Sequence, residues 1–235
     1  MLRAMNIPLL AARLRRRAGA PPTVARSAYA LRRAISHEDW SGVRALRFAA
    51  LAHHEDLAGD ALRACGDAYD ARAGTTTFLL LRDGAPLAST RTSIAAAGEP
   101  ATLPALATFP HEVEQLAAHA RVVEASLTAV DPAAAEPRAA IFHLYRAHML
   151  ACAGSGAAWL VTMVRDTQIG FYRRVFDMEI LSGAEAVPGL AVPRVLMGLR
   201  PAQARERLAR RIPLLAVTET DVERFEDGGT VTFAR

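Results

Sequence analysis

Residues 75–94 read TTTFLLLRDGAPLASTRTSI, and this stretch decides the fold. A β-branched and apolar run, Thr75–Arg82, reaches Asp83-Gly84, and a second run, Pro86–Ile94, returns from it. Asp-Gly between two such runs supplies the residues that tolerate the positive φ of a tight hairpin turn. The sequence therefore predicts an antiparallel strand pair. Upstream, Trp40, Val43, Leu46, Ala50 and Leu51 recur at helical spacing over residues 38–51, with Arg44 and Arg47 interleaved. His37-Glu-Asp39 places acids at the start of that helix.

Downstream, a stretch punctuated by Gly and Pro to Pro110 reads as loop. Glu112–His119 reads as helix, and Arg121–Val130 as a strand that stops at Asp131-Pro132. Pro137–Ala153 is the strongest helix, with Ile141, Leu144, Tyr145, His148 and Met149 in register and Gly154-Ser-Gly156 ending it. Trp159–Val164 reads as a buried strand and Gln168–Phe176 as a helix. A last strand region begins at Glu179–Leu181 and resumes at Val195–Leu199. Pro201–Arg211 is an arginine-rich helix, and a short apolar end, Thr230–Phe233, closes the chain. Strands that alternate with helices after an antiparallel opening predict an α+β fold, a mixed and mostly antiparallel central sheet flanked by helices. No repeat is visible.

The 235 residues are 51% hydrophobic and 22% charged, ordinary for one packed domain, and no apolar run reaches the 18 residues of a membrane span. Every basic residue is arginine. Residues 1–33 hold eight of the arginines and no acid, so the remainder carries a net −4 within an overall +4. The organisation expected is a basic arm over residues 1–28, a domain over 29–200, and an arginine-rich helix with its tail over 201–235. The arm is a candidate for peripheral contact with an anionic membrane. Aromatic residues are not interleaved with the arginines, which argues against a nucleic-acid partner. Cys65 and Cys152 lack the spacing of a zinc site and suit reduced thiols in the cytoplasm. The seven histidines show no ligand spacing, so no metal is expected.

Four short stretches carry a family resemblance: Arg44-x3-Phe48, Asp67-x2-Asp70, Ser89-Thr-Arg91, and Val123-Glu124-Ala-Ser126 followed by Ala129-Val-Asp-Pro132. Together they resemble the acyl-homoserine-lactone synthases and the related N-acyl amino acid synthases, a branch of the GNAT acyltransferases. The resemblance implies a GNAT-like fold and transfer of a fatty acyl group from a thioester to a small amine or amino acid. It implies Glu124 as general base, with Ser126 beside it, and Tyr172 as the acid that protonates the leaving thiolate. It places Arg44, Phe48, Asp67, Asp70 and Arg91 on the acceptor side, Arg44 pairing with the aspartates. Leu127, Thr128, Ala129, Arg138 and Trp159 fall on the donor side.

The chain departs from the pattern in three places. Leu127 stands where the lactone synthases have arginine, Val175 stands where glycine usually precedes the Phe176 position, and no tryptophan follows Phe48 at the family's position. The glycine-rich loop of coenzyme-A-using relatives is also missing; residues 133–138 read AAAEPR. Pyrophosphate normally rests on such amides at a helix start. No tightly bound cofactor is expected, and the donor implied is the acyl-phosphopantetheine thioester of an acyl carrier protein ahead of coenzyme A. A coenzyme-A-dependent N-acetyltransferase and a degenerate domain that only binds remain as alternatives. Glu124 likewise has two readings, a base or a structural partner of Arg91 on the adjacent strand.

Overall fold

Asp83 and Gly84 both take positive φ, 52° and 85°, as a two-residue hairpin turn requires. They join β2 (Thr75–Arg82) to β3 (Ala85–Ala95) in the antiparallel register Thr77↔Arg91 and Thr75↔Ser93. The computed structural model describes residues 29–54, 66, 68–228 and 230–233. The basic arm, Cys65 and Asp67 lie outside the described residues.

Around this hairpin the remaining elements are, in chain order, β1 (Tyr29–Arg33), α1 (His37–His53), α2 (Pro110–Ala117), β4 (Val122–Val130), α3 (Pro137–Ser155) and β5 (Trp159–Val164). There follow α4 (Asp166–Phe176), β6 (Glu179–Glu185), β7 (Arg194–Leu199), α5 (Pro201–Arg211), α6 (Glu219–Glu226) and β8 (Val231–Phe233). Short 3-10 turns lie at Ala68–Ala71 and Pro104–Ala107. Among the described residues the strands form one sheet in the order β6-β7-β5-β4-β3-β2-β1-β8. Every described pairing is antiparallel except β4 with β5, which α3 connects as a crossover. The α+β expectation holds. Three elements go beyond the sequence reading: β1, the helix α6, and the pairing of the tail as β8 against β1.

Local chemistry explains the helix ends. Ser36 caps α1, its hydroxyl accepting from the Asp39 amide at 3.1 Å while Asp39 accepts in return from the Ser36 amide. Gly156, at φ 66°, ends α3 in the left-handed conformation. The sheet buries both faces. α3, α4, α5 and α6 cover one, over Phe78, Leu80, Val123, Ala125, Leu160 and Val164. On the other, α1 covers Leu79, Leu81 and Ala129, and α2 packs over Val122 and Val161. Among the described residues no helix is long and apolar enough to cross a membrane.

The feature that makes a site is the β4–β5 seam. Pairing runs from Val122↔Trp159 to Ala125↔Thr162 and goes no further. Beyond that rung β4 stays on β3 and β5 stays on β7, so the two strands splay apart. A bulge accompanies the splay: the β3–β4 register shifts between Ser89 and Arg91, and Leu127 sits at φ 48°. A leucine in the left-handed region costs about 1–2 kcal/mol, and this strained residue lies just beyond the last paired rung of the seam.

Candidate active site

Strand alternation sorts the chemistry to two faces. On the face under α1 the register aligns Thr75 and Thr77 of β2, Arg91 and Ser93 of β3, and Glu124 and Ser126 of β4. Arg91, 2% exposed, donates from Nε to Ser126 Oγ at 3.0 Å, and its Nη1 lies 3.6 Å from Asp70 Oδ1. Asp70 is held in turn by Arg47, whose Nη1 and Nη2 donate to the two carboxylate oxygens at 2.7 and 3.0 Å. Thr77 donates to Asp70 Oδ1 at 3.0 Å. Burial alone would raise the Asp70 carboxyl, but the Arg47 fork, with Arg91 and Thr77, holds it below the usual carboxylate range. Glu124 is fully buried, and its Oε2 accepts from the Ala105 amide at 2.9 Å in the Pro104–Ala107 turn.

The opposite face, under α3, carries a second polar group. His148 Nδ1 is 2.7 Å from Thr92 Oγ1 and Nε2 is 3.1 Å from Thr90 Oγ1, which lies 2.8 Å from Thr128 Oγ1 on the splayed part of β4. Burial pushes the His148 imidazole down to about 3, so it is neutral at physiological pH. One turn earlier on α3, Tyr145 stacks on Phe176 with ring centroids 3.9 Å apart and stands 5.8 Å from the Tyr172 ring. The Tyr145 hydroxyl is buried without a hydrogen-bond partner among the described residues. Burial raises its phenol well above the ordinary value; adjacent Tyr172 adds to the rise and the Thr162 hydroxyl opposes it.

The structure thus brings together Asp70, Arg91, Glu124 and Ser126 on one side of the splay. Tyr172 is on the other side. Leu127, Thr128 and Ala129 form the β4 wall, and Trp159 starts β5 with the Arg200 guanidinium 4.4 Å over its ring. Arg138 is exposed in the first turn of α3, where backbone amides point outward. Arg44 and Phe48 are not part of this constellation. Both are exposed on α1, Phe48 by 46%, and the pair expected of Arg44 with Asp70 is made by Arg47, one turn on. Asp67 lies outside the described residues. The sequence reading places Tyr145 and His148 in the register of α3 but gives neither them nor Thr90 and Thr92 a role in the site; the signal was two polar residues three apart on a buried helix face.

A splayed parallel pair inside an antiparallel sheet, crossed by a helix and flanked by a buried carboxylate and a buried phenol, is the architecture of a GNAT-type acyltransferase. The model of the FeeM N-acyl amino acid synthases matches residues 43–200, and the chain belongs to that family. Among solved structures it is similar to FeeM, an N-acyl amino acid synthase from uncultured soil microbes, at 13% identity and TM-score 0.64 over 79% of this chain and 97% of that one. It is also similar to BjaI, a CoA-dependent acyl-homoserine lactone synthase, at 18% identity and TM-score 0.52 over 81% and 92%. LasI, an acyl-homoserine-lactone synthase, gives 17% identity and TM-score 0.53 over 75% and 91%. No curated protein sequence matches the chain significantly.

Proposed function

We propose that this acyltransferase moves a fatty acyl group from the phosphopantetheine thioester of an acyl carrier protein to the amine of an amino acid. The observation that carries the reading is Glu124, a buried carboxylate on the penultimate paired rung before the splay, facing the same side as Arg91 and Ser126. The acceptor enters from the α1 side. Arg91 holds its carboxylate, and Glu124 takes the proton from its ammonium, directly or through a water. Glu124 passes that proton to solvent, and the freed amine attacks the thioester carbon. The C–N bond forms and the adduct nitrogen gives its second proton to Glu124; as the C–S bond breaks, the thiolate takes a proton from Tyr172. Backbone amides of the bulge at Ser126–Thr128 face the carbonyl oxygen as it gains charge. The acyl chain lies between the splayed strands.

Two observations favour the carrier protein as donor. Residues 133–138 offer no glycine cradle for a pyrophosphate, and Arg138 at the start of α3 suffices for a single phosphodiester. The surface of α4 and α5 also gathers Arg207, Arg210 and Arg211 around Asp177, with Arg173 and Arg174 exposed on α4, a basic patch suited to steering an acidic carrier. The enzyme would work in the cytoplasm, with the basic arm at the membrane surface. Coenzyme A is the second reading, since BjaI is a CoA-dependent synthase.

The test offers the purified protein long-chain acyl carrier protein or acyl-coenzyme A, each with mixed amino acids, and reads N-acyl products by mass spectrometry. Product from the carrier thioester, at a rate at least tenfold that from coenzyme A, is expected. Product from coenzyme A alone reverses the donor, and none from either donor overturns the acyl-transfer reading.

A further inference from the structure

Three hydroxyls meet where β4 and β5 part. Thr162 belongs to the last paired rung, Tyr145 reaches it from α3, and Tyr172 comes from α4. The Tyr145 ring is fixed on two sides, stacked on Phe176 and in edge contact with His148 at a centroid distance of 5.4 Å. Its hydroxyl makes no well-formed hydrogen bond among the described residues, yet the Tyr172 and Thr162 hydroxyls lie close enough to shift its titration. A ring so firmly held keeps an unmet polar atom in one place, next to the phenol assigned to the leaving thiolate.

We propose that Tyr145 is a positioning residue for the proton donor Tyr172: as Tyr172 gives its proton to the departing thiolate, the Tyr145 hydroxyl donates a hydrogen bond to the phenolate oxygen left behind. This rests on the acyl-transfer reading. The balance is simple. The ammonium gives up two protons through Glu124, one passed to solvent before attack and one from the adduct nitrogen; the thiolate gains one from Tyr172, and solvent exchange passes the second Glu124 proton on to Tyr172. Tyr145 keeps its own proton throughout, as suits a phenol raised above its neighbour by burial. The same hydrogen bond lowers Tyr172 against the rise that burial imposes on it. The titratable group facing the pair from α3 is His148, neutral at working pH; α4 contributes Tyr172 itself, and β5 contributes the uncharged Thr162. In its resting state the pair is looser than a hydrogen bond, as catalytic contacts often are before substrate arrives.

The test is Tyr145→Phe, which deletes one oxygen and keeps the stack on Phe176. The turnover number should fall ~10-fold with the donor KM unchanged, and the alkaline limb of its pH profile should shift upward, with Tyr172→Phe falling further. A readout free of activity accompanies it. The chain has four tyrosines, so Tyr172 can be followed by NMR in protein labelled at the tyrosine ring carbon. Its titration should begin at higher pH in Tyr145→Phe than in the parent. An unchanged turnover number together with an unchanged Tyr172 titration overturns the proposal, as does a lowered melting temperature with turnover per folded molecule intact. If the parent makes no N-acyl product from any donor, the acyl-transfer reading fails, and the NMR titration still decides whether the two phenols are coupled.

Discussion

Replacing Glu124 by glutamine separates chemistry from architecture at the centre of the site. The carboxylate is fully buried and one oxygen accepts from the Ala105 amide at 2.9 Å. Glutamine retains an oxygen for that amide and the same shape. What it loses is the proton acceptor. Acceptor deprotonation by a placed base is worth ~10²–10⁴ in rate, or roughly 2.7–5.5 kcal/mol of transition-state stabilisation. The structural loss is smaller, the difference between a charge-assisted and a neutral hydrogen bond, about 1 kcal/mol. Expected, then, is a soluble protein whose melting temperature drops by no more than a few degrees and whose turnover falls at least 100-fold. Single-turnover assays with saturating acyl donor, alongside thermal denaturation, measure both. Turnover per folded molecule within threefold of the parent would refute the base assignment and leave Glu124 as the anchor of the Pro104–Ala107 turn.

Arg47→Met leaves the buried Asp70 carboxylate to Thr77 and the more distant Arg91 and should cost up to ~3–5 kcal/mol in denaturant unfolding, whereas exposed Arg44→Ala should stay within about 0.5 kcal/mol. Acid should weaken the fold through its histidines. Burial holds folded His148 at about 3 and His143 at about 4, both below the ordinary 6.5. The unfolded chain therefore binds their protons first as pH falls. Stability present above pH 6.5 should decline by about 2 kcal/mol per histidine by pH 5, read from urea midpoints at the two pH values; a flat profile over that range would show these imidazoles accept protons in place. At Leu127, φ 48°, Leu127→Ile should destabilise by ~1–2 kcal/mol while Leu127→Gly does not, since only the β-branched side chain adds to the backbone strain.

The parts of the fold written locally were legible. The Asp83-Gly84 turn, the β-branched runs beside it and the register of α3 each need only neighbouring residues to specify them. β1 was not legible: its five residues carry two arginines, and it exists as a strand because β2 and β8 hold it on either side. Its pairing is a long-range fact. The Arg44 assignment shows a different failure. A motif spacing pointed to Arg44, but the buried stripe of α1 runs Val43, Leu46, Arg47, Ala50, the i, i+3, i+4, i+7 pattern of a covered face. An arginine inside that stripe must find a carboxylate, and Asp70 is there. The bulge at Leu127 had no glycine to announce it. The orphaned Tyr145 hydroxyl depends on how α3 and α4 are set against β5, which no local pattern encodes.

The seam between β4 and β5 also has a kinetic consequence. Two of the antiparallel pairs beside it, β2–β3 and β6–β7, are closed by short connections, while the seam itself is parallel and must wait for the whole of α3 to cross. Contacts of that kind pay their loop-closure entropy late. The β2–β3 and β6–β7 hairpins should therefore form before the seam, with the four rungs from Val122↔Trp159 to Ala125↔Thr162 carrying lower φ-values than either hairpin. The space between the splayed strands is then assembled only after the hairpins on either side of it. A substitution that loosens the seam speeds unfolding more than it slows folding, and it releases two ordered half-sheets with no place between them for a thioester.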